Sequence, residues 1–327
     1  MRFVLAVLLA AVCFGTTGTA GALGPENANA TQIGAARILV GGGALAAVAG
    51  LTLLANRHRA SGTTGASGAV TRALTASRPP TTGARAVGSS LLVVVIGACG
   101  VVAYQPMFFA GTSVNGVAIG TVVALGSAPV LTGVLDWAIH RRFPGTAWIA
   151  ATAIATCGVA VLGGATGAAG PAAATTVPAP LGLLASVGAG ASYAVYTLAG
   201  KELLDRGWSP TGSMGALFGL AAALSIPLLG TDAGWLATGP GLAMALWLGL
   251  VTTTLAYLLF GYGLAGLPAS VVATLTLAEP LTASVLGLLV LHEHLSPGAV
   301  TGLVILACGI LTLTLTLAAR RPVRPAA

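Results

Sequence analysis

Residues 267–315, LPASVVATLTLAEPLTASVLGLLVLHEHLSPGAVTGLVILACGILTLTL, hold two apolar runs parted by a short polar break at His292–Pro297. Each run is about 20 residues, enough to cross a hydrocarbon core of about 30 Å as a helix rising about 1.5 Å per residue. Near the middle of the first run stand Glu279 and Pro280, an acid beside a helix-breaker. An ionisable group at that depth costs about 2.5–3.5 kcal/mol or more and is generally retained for a task.

The same pattern occurs earlier, in residues 116–164, GVAIGTVVALGSAPVLTGVLDWAIHRRFPGTAWIAATAIATCGVAVLGG. Setting Pro129 on Pro280 also sets Cys157–Gly158 on Cys308–Gly309 without a gap, and Pro144 falls close to the partner of Pro297. An internal repeat fixes the architecture before any helix is counted. This one spans at least two helices per copy.

The residues Ala278-Glu279-Pro280-Leu281, Gly287-Leu288-Leu289, Glu293 and Gly309 resemble the second copy of the EamA-type domain of the drug/metabolite transporter superfamily. Pro129 and Gly158 resemble the first copy more weakly. The resemblance implies an all-α polytopic membrane protein with ten transmembrane helices in two inverted five-helix repeats, moving small metabolites. It covers both halves of the chain and says little about substrate.

Only 6% of residues are charged, 56% are hydrophobic and the mean hydropathy is +0.95. Soluble domains carry about a quarter charged residues, so this chain is not one. A net charge of +7 invites a nucleic-acid reading, but the basic residues lie between apolar runs and form no patch. Cys13, Cys99, Cys157 and Cys308 all fall within apolar segments without metal-like spacing and read as packed thiols.

Met1–Leu23 has a basic start, an apolar core and a small-residue end, as a cleavable leader also has. The ten-helix repeat needs it as helix 1, and that reading is adopted. Helix 2 is expected at 33–54, helix 3 at 87–109, helix 4 at 114–139 and helix 5 at 147–164. Helices 6 to 10 follow at 181–200, 211–230, 241–263, 269–291 and 298–318. The domain reading is a first repeat over 1–164 with a flexible cytoplasmic loop at 55–86, a linker at 165–180, a second repeat over 181–320 and a tail at 321–327. With the N-terminus inside, every one of the 14 Lys and Arg residues except Arg37 lies on a cytoplasmic segment. The expected location is therefore the inner (plasma) membrane with both termini cytoplasmic. An odd number of helices per copy inverts the second copy, the common plan of secondary transporters with a site near the midplane.

Glu279 is the sharpest candidate. It reads as a proton relay or a counter-charge for a substrate amine, or else as a neutral acid bonded to a neighbouring helix. Its repeat twin is Ala128, so the fold does not require it. Pro280 should open the helix near Thr276, and Pro129 is its twin. Arg37 reads as a carboxylate or phosphate clamp at the outer mouth, or as an interfacial anchor reaching water beside Glu26. Tyr104, Gln105, Tyr193, Tyr196 and Tyr257 complete the candidate substrate or proton pathway, since an apolar pocket with a few placed hydroxyls suits a small metabolite. Trp208, Trp235 and Trp247 read as interfacial belt residues. Asp136 is expected in an ion pair with Arg141 or Arg142. His292-Glu293-His294 lacks the spacing of an HExxH zinc motif, so no metal is expected. Gly41-Gly42-Gly43, Gly97 and Gly100 read as sites of close helix contact.

There is no Walker A motif and no hydrolase triad, and an intramembrane enzyme would need more than one well-buried acid. The chain therefore reads as a secondary transporter without cofactor, an exporter of amino acids or related compounds by alternating access. The alternatives are a drug or nucleotide-sugar carrier of the same superfamily, or a non-transport membrane subunit. Its expected partners are a small-molecule substrate and the lipid bilayer, not nucleic acid, with a homodimer left open.

Overall fold

The computed structural model describes residues 1–25, 28–61, 84–141, 143–165, 178–230, 233–292 and 294–319. Among them stand ten helices long and apolar enough to cross a membrane. These are α1 (Arg2–Ala22), α2 (Ala30–Ser61), α3 (Ala84–Asn115), α4 (Val117–His140), α5 (Thr146–Ala165), α6 (Ala179–Asp205), α7 (Pro210–Leu229), α8 (Gly239–Gly266), α9 (Ala269–Val290) and α10 (Pro297–Ala319). Helix is the natural state of such runs, because it pairs each backbone amide within its own segment where lipid offers no water. Starts are marked chemically: Ser209 Oγ accepts from the Gly212 amide at 3.0 Å, and Thr238 Oγ1 accepts from the Gly241 amide at 3.1 Å.

Helix lengths differ from expectation in several places, and α6 runs to Asp205 where 200 was expected. Residues 55–61 and 84–86, assigned to a loop, are helical ends of α2 and α3, in keeping with their Ala and Arg content. α3 runs through Pro106 to Asn115, and the turn into α4 is made at Gly116 with φ 81°. Only glycine takes that conformation without strain. The remainder of the 55–86 loop, the core of the 165–180 linker and the tail lie outside the described residues, as do Glu26, Arg142 and Glu293.

Helix α3 packs on α6 and α8 on α1, while α4 packs on α6 and α9 on α1. α2 lies against α7, and α5 against α10. The α5–α10 seam is made by the matched glycines. A Cβ on Gly158 would stand 2.3 Å from the Leu306 amide nitrogen, and one on Gly309 would stand 2.6 Å from that of Ala155. Gly41, Gly42, Gly97 and Gly100 are likewise at helix contacts, whereas Gly43 faces open space. The cysteines depart from expectation. Cys99, Cys157 and Cys308 are exposed, not packed. For the last two the reason is geometric: the adjacent glycine takes the seam, and one residue turns about 100° around the helix.

Arg141, the C-cap of α4, and His292, two residues past the end of α9, both adopt φ 55°. They are also matched positions when Pro129 is set on Pro280. At the far end of α4, Asp136 bonds His140 at 2.8 Å, one helical turn on, and not Arg141. His140 stands 3.9 Å from Glu202 of α6. Glu202 holds Arg206 at 2.8 Å, and Arg206 reaches Ser89 and Ser90 of α3. Arg206 thus ties α6 to α3 at that end, with the Asp136–His140 pair of α4 beside it. On the opposite flank, α1, α8 and α9 border a mostly apolar groove of about 390 Å³ around Thr16, Met244, Trp247 and Leu286.

Candidate functional site

Helix α9 is not continuous. An α-helical start, Ala269–Leu275, tightens to a 3₁₀ turn at Thr276–Ala278, and a second helical stretch begins at Glu279. Pro280 has no amide hydrogen and its ring crowds the carbonyl one turn back, which is where the tightened turn lies. The first half is fixed from α5. Trp148 Nε1 donates to the Ser270 carbonyl and to Thr274 Oγ1, each at 3.0 Å, and Thr152 and Thr274 share a hydroxyl bond of 2.8 Å. Trp148 and Thr274 are buried, so these bonds form away from water.

The break in α9 borders a cavity of about 70 Å³ where seven helices meet. Its polar wall is Arg37 (α2), Tyr104 (α3), Tyr193 and Tyr196 (α6), Tyr257 (α8), and Thr276 and Glu279 (α9). Its apolar wall is Phe14, Leu125, Ala128, Ala273, Leu277 and Pro280. That volume holds several water molecules. Thr276 Oγ1 donates to the Ala273 carbonyl at 2.8 Å and so accepts the Tyr193 hydroxyl, also at 2.8 Å. The Tyr196 and Tyr257 hydroxyls meet at 3.0 Å. Phe14, Phe218 and Phe260 brace Tyr257 by ring contact. Among the described residues no ion pair or hydrogen bond engages the Glu279 carboxyl. The main chain at this residue packs closely on α1, where a Cβ on Gly15 would stand 2.8 Å from the Glu279 backbone carbonyl.

Seven of the sequence candidates thus share one cavity: Glu279, Pro280, Arg37, Tyr104, Tyr193, Tyr196 and Tyr257. Two do not line it. Gln105 turns to α2 and packs at Gly34. Pro129 is buried inside a continuous α4, with its neighbour Ala128 on the cavity wall.

Arg37 stands differently from expectation. It does not reach outward. Its Nε donates to Thr253 Oγ1 at 3.1 Å and its Nη2 to the Thr252 carbonyl at 3.0 Å, both on α8. Trp208 and Trp247 are exposed, but Trp235 is buried at 3% exposure against Ala36, Met244 and Leu248 and serves no belt. Among the described residues no group of three His, Cys, Asp or Glu is placed to hold a metal. The functional reading of the sequence missed Phe14, Leu125, Ala273 and Leu277, which carry no signal beyond apolarity. It also missed the run Thr252-Thr253-Thr254, which was visible but is ordinary in a membrane helix.

A bundle of ten apolar helices closed around a small polar cavity defines a multi-pass membrane protein of the transporter class. The chain belongs to the EamA-like transporter family, whose profile matches residues 1–164 and 180–315. It is 36% identical over 312 residues to an uncharacterized transporter, YwfM, of Bacillus subtilis (strain 168), covering 95% of this chain and 93% of that protein. A solved crystal structure superposes with a TM-score of 0.71 over 98% of this chain and 99% of the other, at 18% identity, which speaks to fold alone.

Proposed function

We propose that the protein is a secondary transporter that exports amino acids or related small metabolites across the cytoplasmic membrane by alternating access. One observation carries the reading: a guanidinium and a carboxyl, Arg37 and Glu279, line the same cavity with no ion pair joining them. A zwitterion presents a charge for each, and the tyrosine hydroxyls and rings suit its remainder. The internal repeat supplies the moving parts. Exchanging each helix for the one five places on turns the α3–α6 contact into α8–α1 and the α4–α6 contact into α9–α1, and it maps α2–α7 and α5–α10 onto themselves. The matched positive φ at Arg141 and His292 and the paired seam glycines obey the same exchange. These matches support two inverted repeats, 1–164 and 181–320, with the site where they meet.

Both termini are placed in the cytoplasm on the charge bias of the sequence. On that orientation the polar groups from Asp136 to Arg206 lie at the cytoplasmic end, while the related α1–α8–α9 cleft is the apolar groove. A drug-like substrate is the second reading, favoured by that groove. Flux from proteoliposomes loaded with a mixture of amino acids, read by mass spectrometry against empty liposomes, tests the first reading. Release of amphipathic cations without any amino acid would favour the second.

A further inference from the structure

Residues Trp247–Leu255 of α8 form a π-helix of nine residues, flanked by ordinary helix on both sides. Such segments are uncommon and concentrate at functional sites, because the wider turn releases backbone groups that an α-helix would consume. The release is visible here. The Ala256 amide bonds the carbonyls of Val251 and Thr253 and passes over Thr252, its partner in a regular α-helix. The Thr252 carbonyl instead accepts from Arg37 Nη2 at 3.0 Å. Thr253 Oγ1 donates five residues back to the Leu248 carbonyl at 3.0 Å and accepts Arg37 Nε at 3.1 Å. α2 sits directly on this turn: a Cβ on Gly41 would stand 2.4 Å from Thr253 Cβ and 2.6 Å from the Gly249 carbonyl.

A guanidinium has two edges able to grip a carboxylate in a fork, Nε–Nη2 and Nη1–Nη2. The π-turn occupies the first. We propose that Thr252 and Thr253 are positioning residues of a carboxylate subsite, holding Arg37 so that its Nη1–Nη2 edge receives the carboxylate of the substrate. The substrate class is then a small metabolite bearing a free carboxylate, and an amide or amine analogue is disfavoured. This rests on the transport reading above and adds the means of discrimination. Matching Tyr104 to Tyr257 sets the π-turn on residues 94–102, VVIGACGVV, which lie within the unbroken α3. The device is therefore built on one side only.

Thr253→Val keeps shape and removes the acceptor, Thr253→Ser keeps the acceptor, and Thr254→Val, whose hydroxyl bonds Gly41 and Gly249 and not Arg37, is the packing control. The probes are the common amino acids and the same set as amides, assayed by exchange in proteoliposomes. A second readout needs no substrate: the rate at which phenylglyoxal modifies Arg37 in membranes, followed by peptide mass. Thr253→Val is expected to raise KM for the amino acids about tenfold with kcat little changed, the scale of one lost charge-assisted bond. It should also erase their preference over amides and speed Arg37 modification, and Thr253→Ser should restore all three. If wild-type protein moves amino acids and Thr253→Val keeps its KM, or Thr254→Val raises KM equally, the positioning role is overturned and the transport reading stands. If wild-type protein treats amides and acids alike, the carboxylate subsite is overturned whatever the modification rate. Unchanged Arg37 reactivity in Thr253→Val overturns the clamp itself.

Discussion

α4 and α9 align through Pro129 and Pro280, yet only α9 breaks at its proline. The neighbours explain the difference. Over the break in α9, Ser270 and Thr274 are bonded by Trp148 and Thr152 of α5, and Thr276 by Tyr193 of α6. The aligned positions are Ile119 and Val123 on α4, and Ala299 and Leu303 on α10. Those residues offer neither donors nor acceptors. Proline removes one helical bond in both copies, but a stable break needs hydroxyls to hold the displaced turn. The lesson extends to the cavity wall, where Ala128 stands opposite Glu279 in the alignment. At these aligned positions the first copy keeps the shape and the second carries the polar group.

Several substitutions would break or sharpen that contrast. The largest effect is expected where the copies are alike. Gly158→Leu and Gly309→Leu should destabilise equally, each by about 3 kcal/mol or more, because overpacking a backbone seam cannot relax. Loss of monodisperse protein on size-exclusion chromatography would report it, and a tolerant Gly309→Leu would show that the seam is not shared. Trp148→Phe should cost about 1–3 kcal/mol by leaving the α9 break under-bonded, read as a lower unfolding midpoint in detergent. The proline pair should diverge next. Pro280→Ala should rejoin α9 and impair transport, while Pro129→Ala should leave transport intact and shift stability by about 1 kcal/mol or less. Equal transport rates for the two would remove the functional distinction. Thr276→Val should cost about 1 kcal/mol from the lost Tyr193 bond, read as a lower unfolding midpoint in detergent.

Much of this was readable in the sequence, for physical reasons. Apolar runs of bilayer length have few folds open to them, so the helix count followed from length together with the internal repeat, which claims Met1–Leu23 as helix 1. Glu279 stood out because an acid in such a run is expensive, and Pro280 because it must disturb the helix that carries the acid. Arg37 was found as a residue but not in its pose. Its inward turn depends on a π-segment whose register is set by α2 pressing on Gly249 and Thr253, a contact more than two hundred residues apart in sequence. His140 was available to Asp136 at the favourable i, i+4 spacing, but sequence charge favoured the arginines. Trp235 gave a belt signal because belt and core tryptophans look alike until a loop folds back, as Gly234–Ala237 does here.

The central claim is that the polar wall of the cavity is the transport path and that Glu279 answers to the gradient across it. Glu279→Gln preserves size and removes a charge that is costly at that depth. Its unfolding midpoint in detergent should match or exceed that of the wild type. In proteoliposomes with an imposed pH gradient, the wild type should drive net amino-acid flux that follows the gradient. The variant should exchange substrate across the membrane at best and ignore the gradient. A folded Glu279→Gln protein with normal, gradient-sensitive flux would contradict the account and leave Glu279 as a packing residue.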